Sequence, residues 1–487
     1  HSLVGSEMCI RDRCMVVKMK QRKSAPYLFH GVTQSLCRSC DRLIPAKIIE
    51  QDNTIFFKKR CPEHGTEKVR VSSDADYWHQ CRDFIKPGDK PLRLQTETKR
   101  GCPWDCGLCP DHEQHSCVAL VEITDACNLE CPVCYADSSP GRGTHRTMDE
   151  IERMLDAIVA SEGEPEVVQI TGGEPSINPQ ILDILHLAKS KPIQHLMINT
   201  NGLRLAKDKS FVEALTAFKP GFEVYLQFDS LNDDALQDIR GANLAKVRRQ
   251  ALDNLEHHEL ATTLVVTVKA GVNDGALGEI IDFARGYRCV RGVTLQPVQD
   301  AGRNPNFDAA QHHLDLAGVR QRLLDSSKVF TEDDIIPLPC NPEHIAIGYC
   351  LRSEQELTPI TSLIPREEFV DTAPNSIAFE KCPDLRSRLF DLLSPASTPK
   401  NTADRLRRAL CCLPTLNASK TLGYKHIFRV KVVEFMDRNN FCLGGIKRSC
   451  IHIVHPDGRI IPFDTYNLFY RNSLDSVPAG DPVEVSA

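Results

Sequence analysis

Three cysteines, Cys127, Cys131 and Cys134, stand at spacing C-x3-C-x2-C within TDACNLECPVCYADSS, residues 124–139. Iron–sulfur cubes are normally held by four cysteine thiolates. Three thiolates therefore leave one iron free for a substrate or cofactor. A zinc knuckle can share this spacing, so the neighbouring motifs have to decide. TGGEP (171–175) follows a strand-like run. Gly172 and Gly173 there let backbone approach a ligand closely, and Glu174, followed by Pro175, can meet a cationic amine. NTNG and QFDS follow two later strand-like runs and supply Asn201 and Asp229 as hydrogen-bonding groups for a ribose or a carboxylate. Each motif alone reads as a turn. Their order at successive strand ends favours one shared ligand site.

The chain holds 21 cysteines in 487 residues. Cys37, Cys40, Cys61 and His64 have the ligand types of a Cys3His site. Zinc is the default for that set and a tetrahedral iron is also chemically open. Cys81 reads as a spare ligand or an ordinary buried thiol. In GCPWDCGLCPDHEQHSC (101–117), Cys102, Cys106, Cys109 and Cys117 can enclose a complete cluster or a zinc ion, with His112 or His115 as substitutes for Cys117. Either histidine alone reads more simply as a solvated loop residue. Further on, Cys340, Cys350, Cys382, Cys411, Cys412, Cys442 and Cys450 are irregularly spaced, with His344, His452 and His455 nearby. From these we select Cys340, Cys412, Cys442 and Cys450 as a second auxiliary cluster. Cys9 lies in HSLVGSEMCIRDR and Cys14 directly follows it; residues 1–18 read as a non-native or disordered leader, and both cysteines are set aside.

These ligands need elements to position them. Two β-rich runs, AKIIE and TIFFKK, flank the turn QDN, so residues 19–90 read as a metal-binding β-ribbon. A linker and auxiliary cluster loop follows (91–117). From 118 to 300, six apolar runs alternate with helical patterns: VALVEIT, VVQIT, HLMINT, EVYLQF, TTLVVTV and GVTLQPV. One helix is marked by a Thr147–Glu150 capping box and an apolar face of Ile151, Met154, Leu155, Ile158 and Val159. Alternating β and α units imply α/β architecture with a parallel sheet. Six units predict a partial (β/α)6 barrel, with an open doubly wound sheet as the alternative. Both gather ligands at the C-terminal strand ends. Residues 301–487 read as a C-terminal α+β extension with an auxiliary metal site and a hairpin at Asp457-Gly458.

Composition narrows the function class. Hydrophobic residues make up 41% and charged residues 25%, and the net charge is −6. An acidic balance argues against a nucleic-acid binder. No apolar run is long enough to span a bilayer. Dense thiols in a large chain without a recognisable secretory signal predict metal ligation in a reducing cytoplasm.

The tandem motifs GCPWDCGLCPDHEQHSC and VEITDACNLECPVCYADS, with the later ITGGEP, resemble the radical S-adenosylmethionine (SAM) superfamily. In particular they are similar to the branch containing the archaeal tetraether lipid synthase and bacterial relatives once proposed to be pterin methylases. The resemblance runs from about residue 37 to about residue 470. It implies a 4Fe–4S cluster with an open site at Cys127, Cys131 and Cys134, chelated by the methionyl amine and carboxylate of SAM. It further implies one-electron cleavage to a 5′-deoxyadenosyl radical, contact of the TGGEP element with the methionyl amine, one or two auxiliary 4Fe–4S clusters and one mononuclear zinc or iron. A reductant such as ferredoxin or flavodoxin is implied as partner. In the synthase the radical takes hydrogen from a lipid-chain carbon and two chain ends join. The leading expectation is therefore hydrogen abstraction from an unactivated C–H bond for carbon–carbon bond formation on a lipid, with peripheral membrane contact. The alternative is radical methylation of a pterin-like small molecule. A non-catalytic zinc-ribbon regulatory protein is the alternative of another class. A lipid predicts a long apolar tunnel reaching the surface. A pterin predicts a closed polar pocket with an acidic residue facing the ring. Several members of the branch read Pro-Phe-Cys where this chain has Pro462-Phe463-Asp464.

Overall fold

The computed structural model describes residues 24–352, 356–362, 366, 375 and 426–471. The leader at 1–18 and the ligand candidates Cys382, Cys411 and Cys412 lie outside them.

The N-terminal ribbon is a four-stranded antiparallel sheet in sequential order: β1 (Leu28–Leu36), β2 (Leu43–Gln51), β3 (Thr54–Cys61) and β4 (Gly65–Ser72). The β2–β3 turn has Asp52 and Asn53 both at positive φ (54° and 53°), the conformation that a two-residue hairpin demands and that these two residue types tolerate. The sequence shows only the central hairpin. β1 and β4 are largely exposed and lack a clean hydrophobic alternation, β1 leaving Leu28, Phe29 and Val32 exposed. The helix Ala75–Asp83 closes the unit, with Asp74 accepting a hydrogen bond from the Tyr77 N–H as its cap.

The six expected strands form and pair in parallel: β5 (Val118–Glu122), β6 (Val167–Thr171), β7 (His195–Thr200), β8 (Phe222–Gln227), β9 (Thr262–Val268) and β10 (Val290–Pro297). The helix Met148–Glu162 carries the complete Thr147–Glu150 capping box and buries Ile151, Met154, Leu155 and Ile158. The helices cover one face of the sheet in a single large core.

The boundary at residue 300 needs correction. β11 (Ile336–Pro337), β12 (Ile345–Arg352), β13 (Leu357–Pro359), β14 (Ile427–Val433), β15 (Ile451–Val454) and β16 (Ile460–Pro462) all join the same sheet, twelve strands in total. β14 lies parallel to β10, with Val293 opposite Val430. β15 lies parallel to β5, with Ile451 opposite Val118. The parallel run is thus eight strands, β14-β10-β9-β8-β7-β6-β5-β15, rather than six. Antiparallel strands flank it, and β16 returns through a turn with Gly458 at φ 91°. Parallel strands need both edges covered, and the C-terminal segment supplies that cover.

Candidate active site

Side chains alternate across a strand, so every second residue of the parallel run faces away from the helices. These residues line a cavity of about 830 Å³. Its middle wall carries the amides of Gln169, Asn199, Gln227 and Gln296 and the Tyr225 hydroxyl, against Leu120, Met197, Phe435 and Phe463. At the C-terminal strand ends it is lined by Cys127, Cys131, Cys134, Gly172, Gly173, Glu174 and Asn201. At the other end stand His195, Lys219 and Glu259.

The three thiols therefore face the TGGEP loop. The loops interlock through backbone bonds: the Gly173 N–H donates to the Thr124 carbonyl (2.8 Å) and the Glu174 N–H to the Ala126 carbonyl (2.9 Å). This contact explains both glycines. A Cβ on Gly172 would sit 2.2 Å from the Thr124 oxygen, and one on Gly173 2.2 Å from the Ala126 oxygen. Glu174 is buried, and its carboxylate accepts from the Ser176 N–H (3.0 Å), the Thr200 hydroxyl (2.6 Å) and the Asn201 N–H (2.7 Å). It ties the loop after β6 to the loop after β7. Burial raises its pKa, against those donors. Asn201 extends the web by donating to the Asn128 side chain at 2.7 Å.

Asp229 takes a different place from the one expected. It is fully buried at φ 63°, and its carboxylate is held bidentately by Arg240 at 2.7 Å and by the Thr267 N–H at 3.0 Å. Neither Asp229 nor Pro175 lines the cavity, whereas Arg240 does and also acts on the Cys131 thiol. Arg303 braces the thiol loop: its Nε donates to the Cys131 carbonyl (2.8 Å) and an Nη to the Ser138 carbonyl (2.6 Å). Neither arginine carries a sequence signal beyond its charge. Burial pushes the Cys127 thiol up to about 12 and raises that of Cys131. A metal bound by such thiols would displace their protons. Three unbridged thiols around one cavity end, Cys131 buried and Cys127 and Cys134 half-buried, are a donor set that fits an iron–sulfur cube with one open corner.

In the ribbon the structure brings Cys37, Cys40, Cys61 and His64 together, all ligand atoms within 4.8 Å of one another. His64 Nδ1 lies 3.6 Å from the Cys37 Sγ and 3.4 Å from the Cys61 Sγ, and Cys40 and Cys61 are 3.9 Å apart. Ligands 2.3 Å from a tetrahedral centre would be roughly 3.8 Å apart, so the set fits a mononuclear ion.

The two auxiliary sets are partitioned differently from the sequence reading. Cys117 groups with Cys340 and Cys450. Cys340 and Cys450 are 3.6 Å apart at sulfur. The cause is strand register: Cys117 and Cys450 directly precede β5 and β15, whose first residues pair. His115 Nε2 lies 3.6 Å from the Cys117 Sγ, and its Nδ1 is 2.9 Å from the Glu162 carboxylate. An imidazole oriented by a carboxylate is a common arrangement beside a metal. Cys102, Cys106 and Cys109 stay together around a second small cavity with Asp111 and His112. Cys442 belongs to neither group. Its sulfur is 3.3 Å from the Thr33 hydroxyl. His112 is not solvated: it is buried, with Nε2 2.9 Å from the Ser449 carbonyl, and burial lowers its pKa to about 4. Cys81 and Cys350 are buried thiols outside these groups.

Comparison with known proteins agrees with this geometry. Residues 121–284 match the model of the Radical SAM superfamily, and residues 29–73 match that of the HMPTM N-terminal zinc ribbon domain. A 7,8-dihydro-6-hydroxymethylpterin dimethyltransferase of Methanocaldococcus jannaschii is 29% identical over 481 residues, covering 91% of this chain and 94% of the relative. A GTP 3′,8-cyclase of Pectobacterium atrosepticum is 30% identical over 212 residues, 42% of this chain. This chain spans 61% of that cyclase, less than two thirds. Streptococcus suis SuiB, in a crystal structure with precursor peptide SuiA, aligns over 44% of this chain and 45% of its own, with TM-score 0.37 and 17% identity. That dimethyltransferase is matched along nearly its whole length, and the expectation of a tetraether lipid synthase-like enzyme gives way to a likeness to a pterin methyltransferase. The chain is an enzyme whose residues 121–284 are similar to the radical SAM superfamily and whose residues 29–73 are similar to a zinc ribbon domain.

Proposed function

We propose that this enzyme uses SAM to methylate a pterin-like heterocycle by a radical route. The observation that carries the reading is the full-length likeness to the pterin dimethyltransferase, set on a cavity with the thiols at one end and an amide-bearing wall in the middle. Flat heterocycles are held by a few placed polar groups between apolar surfaces. Gln169, Asn199, Gln227 and Gln296 offer donors and acceptors for a pterin edge, and Leu120, Met197 and Phe463 offer faces for the ring. The cavity matches neither simple expectation. It is partly apolar and extends to the N-terminal strand ends, and its lining acids, Glu174 and Glu259, stand at its two ends. The four mid-wall amides favour the heterocycle over a lipid chain, and peripheral membrane contact is not part of this reading.

In this reading Cys127, Cys131 and Cys134 hold the cluster, which when bound supplies the electron that cleaves SAM. Arg303 and Arg240 fix the thiol loop and its charge. Glu174 locks the loops after β6 and β7 so that the Gly172-Gly173 backbone meets SAM. Cys37, Cys40, Cys61 and His64 hold a zinc or iron ion. Cys117, Cys340 and Cys450 hold one auxiliary centre, and Cys102, Cys106 and Cys109 contribute to another. A ferredoxin or flavodoxin in the cytoplasm supplies electrons. Among the described residues no helix is long and apolar enough to cross a membrane.

The test is anaerobic incubation of the reduced, reconstituted enzyme with SAM and 6-hydroxymethyl-7,8-dihydropterin. The expected products are 5′-deoxyadenosine and methionine from the SAM that is cleaved and, with a second SAM as methyl donor, S-adenosylhomocysteine and a pterin heavier by one or two methyl groups. Formation of 5′-deoxyadenosine without pterin methylation, but stimulated by long-chain lipids, would overturn the substrate assignment.

A further inference from the structure

We propose that His30, Glu50 and His79 form a divalent-metal site of the zinc class on the ribbon, separate from the Cys37–His64 site. His30 Nε2 and His79 Nε2 converge on one oxygen of Glu50, at 2.7 and 3.0 Å. The three ligand atoms all lie within 4.8 Å of one another. Two neutral imidazoles and one carboxylate are a standard borderline donor set for zinc. Ligands about 2.1 Å from a tetrahedral ion sit roughly 3.4 Å apart, so the two histidine–carboxylate contacts need to open by about 0.7 and 0.4 Å.

Three elements build the site. Glu50 is on β2. His30 is on β1 at a bulge, where the register steps from Phe29 opposite Ile49 to Gly31 opposite Ile48 and leaves His30 as the extra residue. Bulges of this kind re-aim a side chain. His79 comes from the helix Ala75–Asp83. The indole of Trp78 packs against both imidazoles, at 5.5 and 5.1 Å between ring centres, and gives the site an apolar side. The side chains of His30 and Glu50 are about four-fifths covered, although His30 as a whole residue is exposed, while the His79 side chain is 45% exposed and leaves an entry path for an ion. Leu36 pairs with Leu43 and Leu28 with Glu50, so the trio is at the opposite end of the β1–β2 pair from Cys37. Seven residues of strand make that roughly 23 Å. An ion there would clasp the helix to the ribbon and leave further coordination positions to water.

The test uses the full-length enzyme with its cysteine sites reconstituted. It is titrated anaerobically with zinc, and the zinc retained after gel filtration is counted. Wild type is expected to retain one equivalent more than Glu50→Gln or His79→Ala, whose affinity falls by roughly tenfold or more. His257→Ala with His258→Ala, which removes an adjacent histidine pair elsewhere, one exposed and one half-buried, is expected to retain as much as wild type. Trp78 and Trp104 are the two tryptophans. In a Trp104→Phe background, Cu(II) is expected to quench Trp78 fluorescence in a saturable way that Glu50→Gln abolishes. Glu50→Gln is close to isosteric, so it keeps the test sound if His79→Ala unfolds the helix. Equal zinc retention by wild type and Glu50→Gln, or uptake only at millimolar zinc, would overturn the proposal.

Discussion

Arg248 offers the sharpest test of how the radical SAM site is assembled. It lies in the helix Ala245–His257, is fully buried, and none of its Nε, Nη1 and Nη2 groups has a hydrogen-bond partner. Burial lowers its pKa to about 10, against the attraction of Asp229. Its surroundings place it beneath the site. A Cβ on Gly202, in the NTNG turn, would be 3.5 Å from Nη1, and the charges acting on it include Cys131 and Glu174. An unpaired buried donor costs about 1–3 kcal/mol, more when charged. Replacing a buried ion by an apolar side chain of similar size is often stabilising by about 1–4 kcal/mol. Arg248→Met is therefore expected to raise the stability of the SAM-free enzyme by an amount in that range. Arg240 continues to neutralise Asp229 in this variant. Arg248 does not line the cavity, so in the proposed reading its charge favours the anionic end of SAM through space and not through a bond. Unit charges roughly 8–16 Å apart at an effective dielectric of about 20 attract by about 1–2 kcal/mol, so SAM affinity should fall by roughly 5- to 30-fold. Anaerobic melts with and without SAM, together with calorimetric titration, read both effects. A variant that melts lower without SAM and binds SAM as tightly as wild type would refute the reasoning.

Other consequences follow from the same geometry. Gly173→Ala drives a Cβ to 2.2 Å from the Ala126 carbonyl oxygen and must part the two loops; displacements near 1 Å cost about 100-fold, and 5′-deoxyadenosine formation within threefold of wild type would contradict this. Cys340→Ser and Cys450→Ser should each lower the bound metal by one centre while Cys442→Ser leaves it unchanged, as measured by iron and zinc content. Burial raises the pKa of Asp464 from 3.8 to about 7, opposed by hydrogen bonds from the Met436 N–H and the Ser449 hydroxyl. The folded state thus binds that proton more tightly, and its contribution to stability, full below pH 4, is lost as pH rises through about 7. Relative to Asp464→Asn, wild type should lose on the order of 4 kcal/mol between pH 4 and pH 8; parallel stability curves would count against it.

Much of the site was legible because its signals are local. The six strands of residues 118–298 are short apolar runs, and β6 and β9 are buried almost throughout. The thiol loop and TGGEP sit at strand ends that the alternation of elements fixes. The Cys37–His64 set spans one hairpin, so its convergence needs no distant information. The remainder depends on pairings that no local pattern encodes. Nothing within IFRVKVV or IHIV shows that β14 lies beside β10 or β15 beside β5. That second pairing moves Cys117 out of the set proposed with Cys102 and joins it to Cys450. Asp229 looked like a ligand-binding acid because it follows a strand, but its charge is consumed by Arg240, eleven residues further on. Arg240, Arg248 and Arg303 read in isolation as ordinary helix and loop cations.

The placement of β14 and β15 at the two borders of the six-strand unit bears on how the polypeptide can be cut and how it matures. A fragment ending near residue 300 would present the open sides of β5 and β10, two ready templates for intermolecular strand addition. During synthesis those sides stay uncovered until more than a hundred further residues have emerged. In the proposed reading, metal capture by Cys117, Cys340 and Cys450 also waits for the segment that carries Cys450, so loading that centre would report that β15 has closed onto β5.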